Sequence, residues 1–159
     1  MDPAQAAPYA CSGLTAFSAL KKIPTTSKDD WIIIIGAGGV GINGILLSPA
    51  VHKAKILVID NDPEKRKKAL EAGASEAFAP DEETEIRNKI GIGSAAAIDF
   101  VGSPETTDLG LTLVKKGGMV IVVGLYGGSL KLSLPLVPMR SMTVSYTHLR
   151  AHETADNLV

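Results

Sequence analysis

The stretch that most constrains this chain is Trp31-Ile-Ile-Ile-Ile-Gly36-Ala-Gly38-Gly39-Val-Gly41, followed nineteen residues later by an acid, Asp60. Four consecutive isoleucines predict a strand buried on both faces, because a sheet covered by helices selects apolar runs rather than alternation. The glycines predict a sharp turn into a helix, with main-chain N–H groups left bare for close approach to a pyrophosphate. The helix amino end adds about half a positive charge at that spot. Asp60 closes a second apolar run, Ile56-Leu-Val-Ile59, and so stands at a strand's carboxyl end, where a ribose diol could be held.

The glycines alone are a weak signal; strand, turn, helix, strand and terminal acid within one unit form a stronger one. Two other readings fit the same stretch. A tight strand-to-helix turn can carry packing glycines and bind nothing, and an S-adenosylmethionine enzyme also holds a ribose with an acid. Between the two nicotinamide dinucleotides, Asp60 and Asp62 favour NAD. A carboxylate accepts from a free 2′-hydroxyl and repels a 2′-phosphate, and Asn61 offers no arginine.

The remainder of the chain supports an α/β domain. After an apolar opening, helical spacing at Leu14, Phe17 and Leu20 predicts a helix feeding Lys21 and Lys22. A helix begins near Val40, and Pro49 is expected to kink or end it. Strand two covers Lys55 to Asp60. Asp62-Pro63-Glu64 is a helix start, and that helix stops at Gly73. Its basic run, Lys65 to Lys68, predicts a solvated face from which Lys65 could swing toward a ribose. Glu76 to Ala79, Ala95 to Val101 and Met119 to Val123 are further strands, with helices from Glu82 to Ile90 and from Gly102 to Val114. Gly117 and Gly118 are expected to turn into the fifth strand, Lys131 to Pro138 to be extended or looped, and Ser141 to Thr143 to open a sixth strand. His52, between helix and strand two, is expected on the solvated surface. Strands alternating with helices imply a parallel sheet with right-handed crossovers. The predicted fold class is therefore α/β, a three-layer, doubly wound Rossmann sheet cut in or before strand six.

With 159 residues the chain suffices for one domain with a real core. A net charge of −1 argues against nucleic acid or a membrane surface as partner. A single cysteine excludes an internal disulfide and fits a reducing, cytoplasmic setting. No apolar run is long enough to span a bilayer, and Met1-Asp-Pro-Ala-Gln lacks the basic start of a signal peptide.

The last stretch stands apart. Val144-Ser-Tyr-Thr-His-Leu-Arg-Ala-His-Glu-Thr154 resembles the one-frame translation of a transposase adapter used in sequencing libraries, and the frame continues plausibly to Val159. Residues 144–159 are therefore expected to be read-through, as a fusion scar would be. His148 and His152, four apart beside Glu153, mimic a helical metal site; on this reading they carry no chemistry. The expected organisation is a junction helix and linker over 1–30, a dinucleotide-binding domain over 31–143, and the adapter-derived tail.

Across about Ala6 to Thr143 the chain resembles the medium-chain dehydrogenase/reductase family, in its zinc-containing alcohol dehydrogenase branch, with some likeness to the hydroxyhexanoate-dehydrogenase type. The stretches that carry this are Ala10-Cys11-Ser-Gly-Leu-Thr15-Ala, Ile35 to Gly41, Val58-Ile-Asp60, Asp99-Phe-Val-Gly102 and Lys116 to Gly124. The resemblance implies NAD held by Gly36, Gly38, Gly39, Val40 and Gly41 at the pyrophosphate, with Asp60 and Lys65 at the ribose. It implies Phe100 and Val101 on the adenosine side, and Thr15, Val123 and Gly124 near the nicotinamide. Cys11 matches one of three protein ligands of a catalytic zinc; a lone buried or inert thiol is the alternative. The other ligands would come from a GroES-like domain absent here, so no complete catalytic set is expected.

The implied reaction is oxidation of a small-molecule alcohol to an aldehyde or ketone by hydride transfer to NAD, in an enzyme that is a homo-oligomer, dimer or tetramer. A zinc-free quinone or enoyl reductase of the same family would dispense with Cys11. A non-catalytic NAD-sensing domain would begin almost at the glycine strand.

Overall fold

The computed structural model describes residues 9–147. A single π-helical turn, Tyr9–Gly13, leads into α1 (Leu14–Lys22). There follow β1 (Trp31–Ile35), α2 (Gly39–Val51), β2 (Lys55–Ile59), α3 (Pro63–Glu71), β3 (Glu76–Phe78), α4 (Glu83–Ile90) and β4 (Ser94–Asp99). The chain continues through α5 (Pro104–Leu113), β5 (Val114–Val122), α6 (Leu136–Arg140) and β6 (Thr143–Tyr146). All six strands pair in parallel in the order β3-β2-β1-β4-β5-β6. This is the doubly wound Rossmann order, whose reversal between β1 and β4 opens a crevice at the strands' carboxyl ends.

The isoleucine run is buried on both faces because its side chains feed two cores. Ile32 and Ile34 pack with Leu20 of α1 and Ile45 of α2, whereas Ile33 and Ile35 pack with Ile86 of α4 and Leu111 of α5. A pleated strand sends alternate residues to opposite faces, so each helical layer receives half the run. Burying each of these side chains contributes about 1.5–3 kcal/mol.

Three local expectations are corrected. Pro49 neither ends nor breaks α2, which runs to Val51 and closes with His52 N–H donating to Ser48 O at 2.8 Å. A proline in the last turn forfeits one ladder bond and leaves the turn beyond it intact. His52 is not solvated: it is 8% exposed, with Nε2 2.9 Å from Leu20 O and Nδ1 3.3 Å from Thr26 Oγ1. The Leu20 carbonyl can only accept, so Nε2 is the donor of that bond. Gly117, with φ +77°, and Gly118 fall within the bounds of β5, yet the pairing with β4 passes from Ser94–Val114 to Ala96–Met119, so 115–118 bulge out and the glycines turn the chain into the run from Met119, as expected. Part of the stretch expected to loop forms α6, and β6 draws Val144, Ser145 and Tyr146 from the adapter-like residues. His148, His152 and Glu153 lie outside the described residues. Among the described residues no helix is long and apolar enough to cross a membrane.

Candidate functional site: a dinucleotide-shaped cleft

The carboxyl ends of β1, β2 and β4 open onto a cleft of about 630 Å³, within the range of about 300–1,000 Å³ usual for small-molecule sites. One wall is the turn between β1 and α2. Gly36 there has φ +91°, and a β-carbon on it would meet Val101 Cγ2 at 2.8 Å. A β-carbon on Gly41 would lie 2.0 Å from Gly36 O, so α2 can rise this close to its own strand only without a side chain. Gly38 and Gly39 differ: both line the cleft, and a β-carbon on either meets nothing within 4 Å. Bare main chain at this spot leaves room for a ligand.

The amino end of α2 is left open. Its N-cap is Gly38, with no side-chain cap, and the helical ladder opens with Ile42 donating to Gly38 O at 2.9 Å. The N–H groups of Gly39 and Val40 therefore have no helical acceptor, and together with the helix dipole they suit an anion. By contrast α3 and α5 are capped by their own side chains, Asp62 and Ser103.

Asp60 stands one residue past β2 and is 8% exposed. Its Oδ2 accepts from Ala37 N–H at 2.7 Å and its Oδ1 from Asp62 N–H at 2.9 Å. The acid is thereby aimed across the top of the sheet and tied to the glycine turn, with lone pairs left over for a diol. Lys65 lines the cleft beside it. Arg66 Nη1 donates to the main-chain carbonyls of Asp60 and Asn61 at 2.7 and 3.0 Å, holding that corner from behind.

The opposite wall comes from Phe100 and Val101 after β4, Thr106 and Leu109 of α5, and Tyr126 after β5. Of the residues expected at a site, Gly36, Gly38, Gly39, Val40, Gly41, Asp60, Lys65, Phe100 and Val101 are brought together around the cleft. Thr15 is buried in α1, and neither it nor Val123 is among the lining residues. Gly124 lines a smaller adjoining hollow with Gly102 and Ser103. Asn61, Pro80, Glu105, Thr106, Leu109 and Tyr126 line the cleft without having been singled out. Pro80 and the α5 residues follow β3 and β4, so the rule that ligands gather at strand carboxyl ends would have found them.

The residues present fit an NAD molecule: bare glycines face the cleft, an uncapped helix end meets one part of it, and a pinned acid meets another. Zinc is different. Cys11 is exposed, and among the described residues no three His, Cys, Asp or Glu side chains gather to hold a metal.

The sequence pattern of the family described as Zinc-binding dehydrogenase matches residues 39–159. The chain belongs to this family. Its relatives include an NAD-dependent alcohol dehydrogenase of Sulfolobus acidocaldarius, 38% identical over 132 residues, covering 82% of this chain and 38% of the relative. The D-arabinose 1-dehydrogenase (NADP(+)) of Saccharolobus solfataricus is 34% identical over 134 residues, covering 80% of this chain and 38% of that protein. Among solved structures, the alcohol dehydrogenase of Aeropyrum pernix superposes with a TM-score of 0.84 at 31% identity, covering 90% of this chain and 42% of the other. The chain thus spans about two fifths of the length of these relatives.

Proposed function

We propose that this chain is the NAD-binding part of a zinc-dependent alcohol dehydrogenase that oxidises an alcohol to an aldehyde or ketone. The observation that supports the reading is the Asp60–Ala37 hydrogen bond, which ties a carboxylate to the turn that leads into the uncapped amino end of α2. Asp60 accepts from the adenosine ribose hydroxyls, Gly38 and Gly39 leave the main chain open to the pyrophosphate, and Phe100 and Val101 flank the adenosine. Lys65 balances the charge of Asp60 and the phosphates. Bound NAD supplies the hydride acceptor. Cys11 would be this chain's contribution to a zinc centre whose other ligands lie in a further domain. Alone, the chain binds NAD weakly and does not turn over alcohol. The full protein works in the cytoplasm as a homo-oligomer.

Within this proposal residues 144–159 are adapter-derived, and His148 and His152 hold no metal. Resequencing the gene from genomic template without a transposase step tests that part.

NADP is the second reading, favoured by Lys65 at the cleft and by the NADP(+) in the name of one relative. Asp60 opposes it, since a 2′-phosphate would face a carboxylate. Thermal unfolding decides among the cofactors, because a ligand that binds only the folded chain raises its midpoint. NAD at millimolar concentration is expected to raise the midpoint more than NADP does. A rise with S-adenosylmethionine and none with NAD would overturn the dehydrogenase reading.

A further inference from the structure

The wall facing the glycine turn is organised by a residue to which the reading above gives no part. Asp99, the last residue of β4, is fully buried. Its Oδ1 accepts from the N–H groups of Val101 and Gly102, both at 2.9 Å. Its Oδ2 accepts from Thr106 Oγ1 at 2.9 Å and Thr107 Oγ1 at 2.7 Å, on the first turn of α5. Its main-chain carbonyl accepts from Val123 N–H at 2.9 Å and Gly124 N–H at 3.1 Å, just past β5.

Capping the turn after β4 requires only the bonds to Val101 and Gly102. The carboxylate's other two bonds reach α5, while the link to the end of β5 is made by the Asp99 main-chain carbonyl, which any residue would keep. The carboxylate acts on the segment after β5 through the Val101 and Gly102 peptides that it orients. Beyond Asp99 the two segments run side by side. Tyr126 N–H donates to Val101 O at 3.2 Å and Gly127 N–H to Gly102 O at 3.3 Å. They touch so closely that a β-carbon on Gly102 would lie 2.0 Å from Gly124 O. Val101, Thr106 and Tyr126, which all line the cleft, are thereby held as one piece.

We propose that Asp99 is the positioning residue that makes the segment after β4 and the segment after β5 a single wall, setting the width of the cleft for its dinucleotide. The dinucleotide part of this rests on the NAD reading above. The test is amide hydrogen exchange and NAD titration of the full chain carrying Asp99→Ala. Exchange is expected to quicken at Val101 and Gly102 and also at Tyr126 and Gly127, while Ile33 and Ile34 stay protected. NAD affinity is expected to fall by about tenfold, the factor to which losing a buried hydrogen-bonding partner converts. Asp99→Asn keeps an acceptor for both N–H groups, and the threonine hydroxyls can turn to accept from its amide. It is expected to restore both readouts to within about threefold of the parent.

If Asp99→Ala does not fold, Thr107→Val removes one of the bonds to Oδ2 and is expected to quicken exchange at Tyr126 in the same sense. Quickening confined to Val101 and Gly102 overturns the proposal, as does an Asn variant indistinguishable from Ala. If the unaltered chain shows no NAD binding, the NAD reading falls, and exchange at Tyr126 and Gly127 still decides whether Asp99 joins the two segments.

Discussion

The two walls of the cleft are stiffened by opposite means. The β1–α2 wall is made by omission: Gly36 and Gly41 let strand and helix close on each other, and Gly38 and Gly39 leave the cleft empty of side chains. The wall after β4 and β5 is made by addition, with the buried carboxylate of Asp99 collecting donors from the turn after β4 and from α5, and its main-chain carbonyl those just past β5. A wall of bare main chain offers N–H groups at fixed places and suits an anion. A wall hung on one acceptor can vary its side chains, and here it presents Phe100, Val101 and Tyr126. The first suits the invariant phosphates of a dinucleotide; the second can be tailored to what lies beside them.

If that contrast is right, substitutions should separate the walls by what they damage. Gly41→Ala should have a large effect, because its β-carbon falls 2.0 Å from the backbone oxygen of Gly36, where α2 meets its own strand. A loss of about 3 kcal/mol or more is expected in urea unfolding. Gly102→Ala, with φ +75° and a β-carbon 2.0 Å from Gly124 O and 2.3 Å from Gly124 C, should lose a comparable amount, about 3 kcal/mol. Stability unaffected by either substitution would mean that the close approaches are not constraints.

Gly38→Ala should sharpen the distinction. Its φ of −73° and open surroundings accept a methyl group, so stability should change by no more than about 0.5 kcal/mol. NAD affinity should nevertheless fall, as the methyl group is added to a residue that lines the cleft. Unchanged affinity would show that the pyrophosphate lies elsewhere.

The smallest effect belongs to a pair remote from both walls. The Lys115 ammonium, 2.6 Å from Asp30, holds that carboxyl at about 2 against an ordinary 3.8, aided by the Ser27 N–H. The folded value is the lower one, so the stabilisation is complete above about pH 3.8 and is lost as pH falls toward 2. The pair is partly exposed and worth less than about 1 kcal/mol. Lys115→Met should weaken that acid-limb dependence in equilibrium unfolding, leaving the part due to Ser27, and leave the cleft untouched.

The glycine wall was legible in the sequence because its causes are local: an apolar run, glycines at close spacing, and an acid ending the next strand. The parallel, doubly wound sheet followed from alternation of elements and from handedness. What escaped was held by distant partners. His52 looked solvated because nothing near it in sequence reveals Leu20 O and Thr26. Asp99 fell inside the expected strand Ala95 to Val101, and its partners lie on α5 and beyond β5, where only the fold brings them together. Pro49 misled because the rule for helix interiors weakens in a last turn. Thr15 was placed by resemblance alone, and its surroundings here are the packing of α1.

The central claim is that Asp60, pinned to Ala37, grips the adenosine ribose beside an open helix end. Calorimetric titration of the chain and of its Asp60→Ala variant with NAD addresses it most directly. Saturable heat for the chain, with affinity reduced by about tenfold or more in the variant, is the expected result. Equal affinity in the two would contradict it.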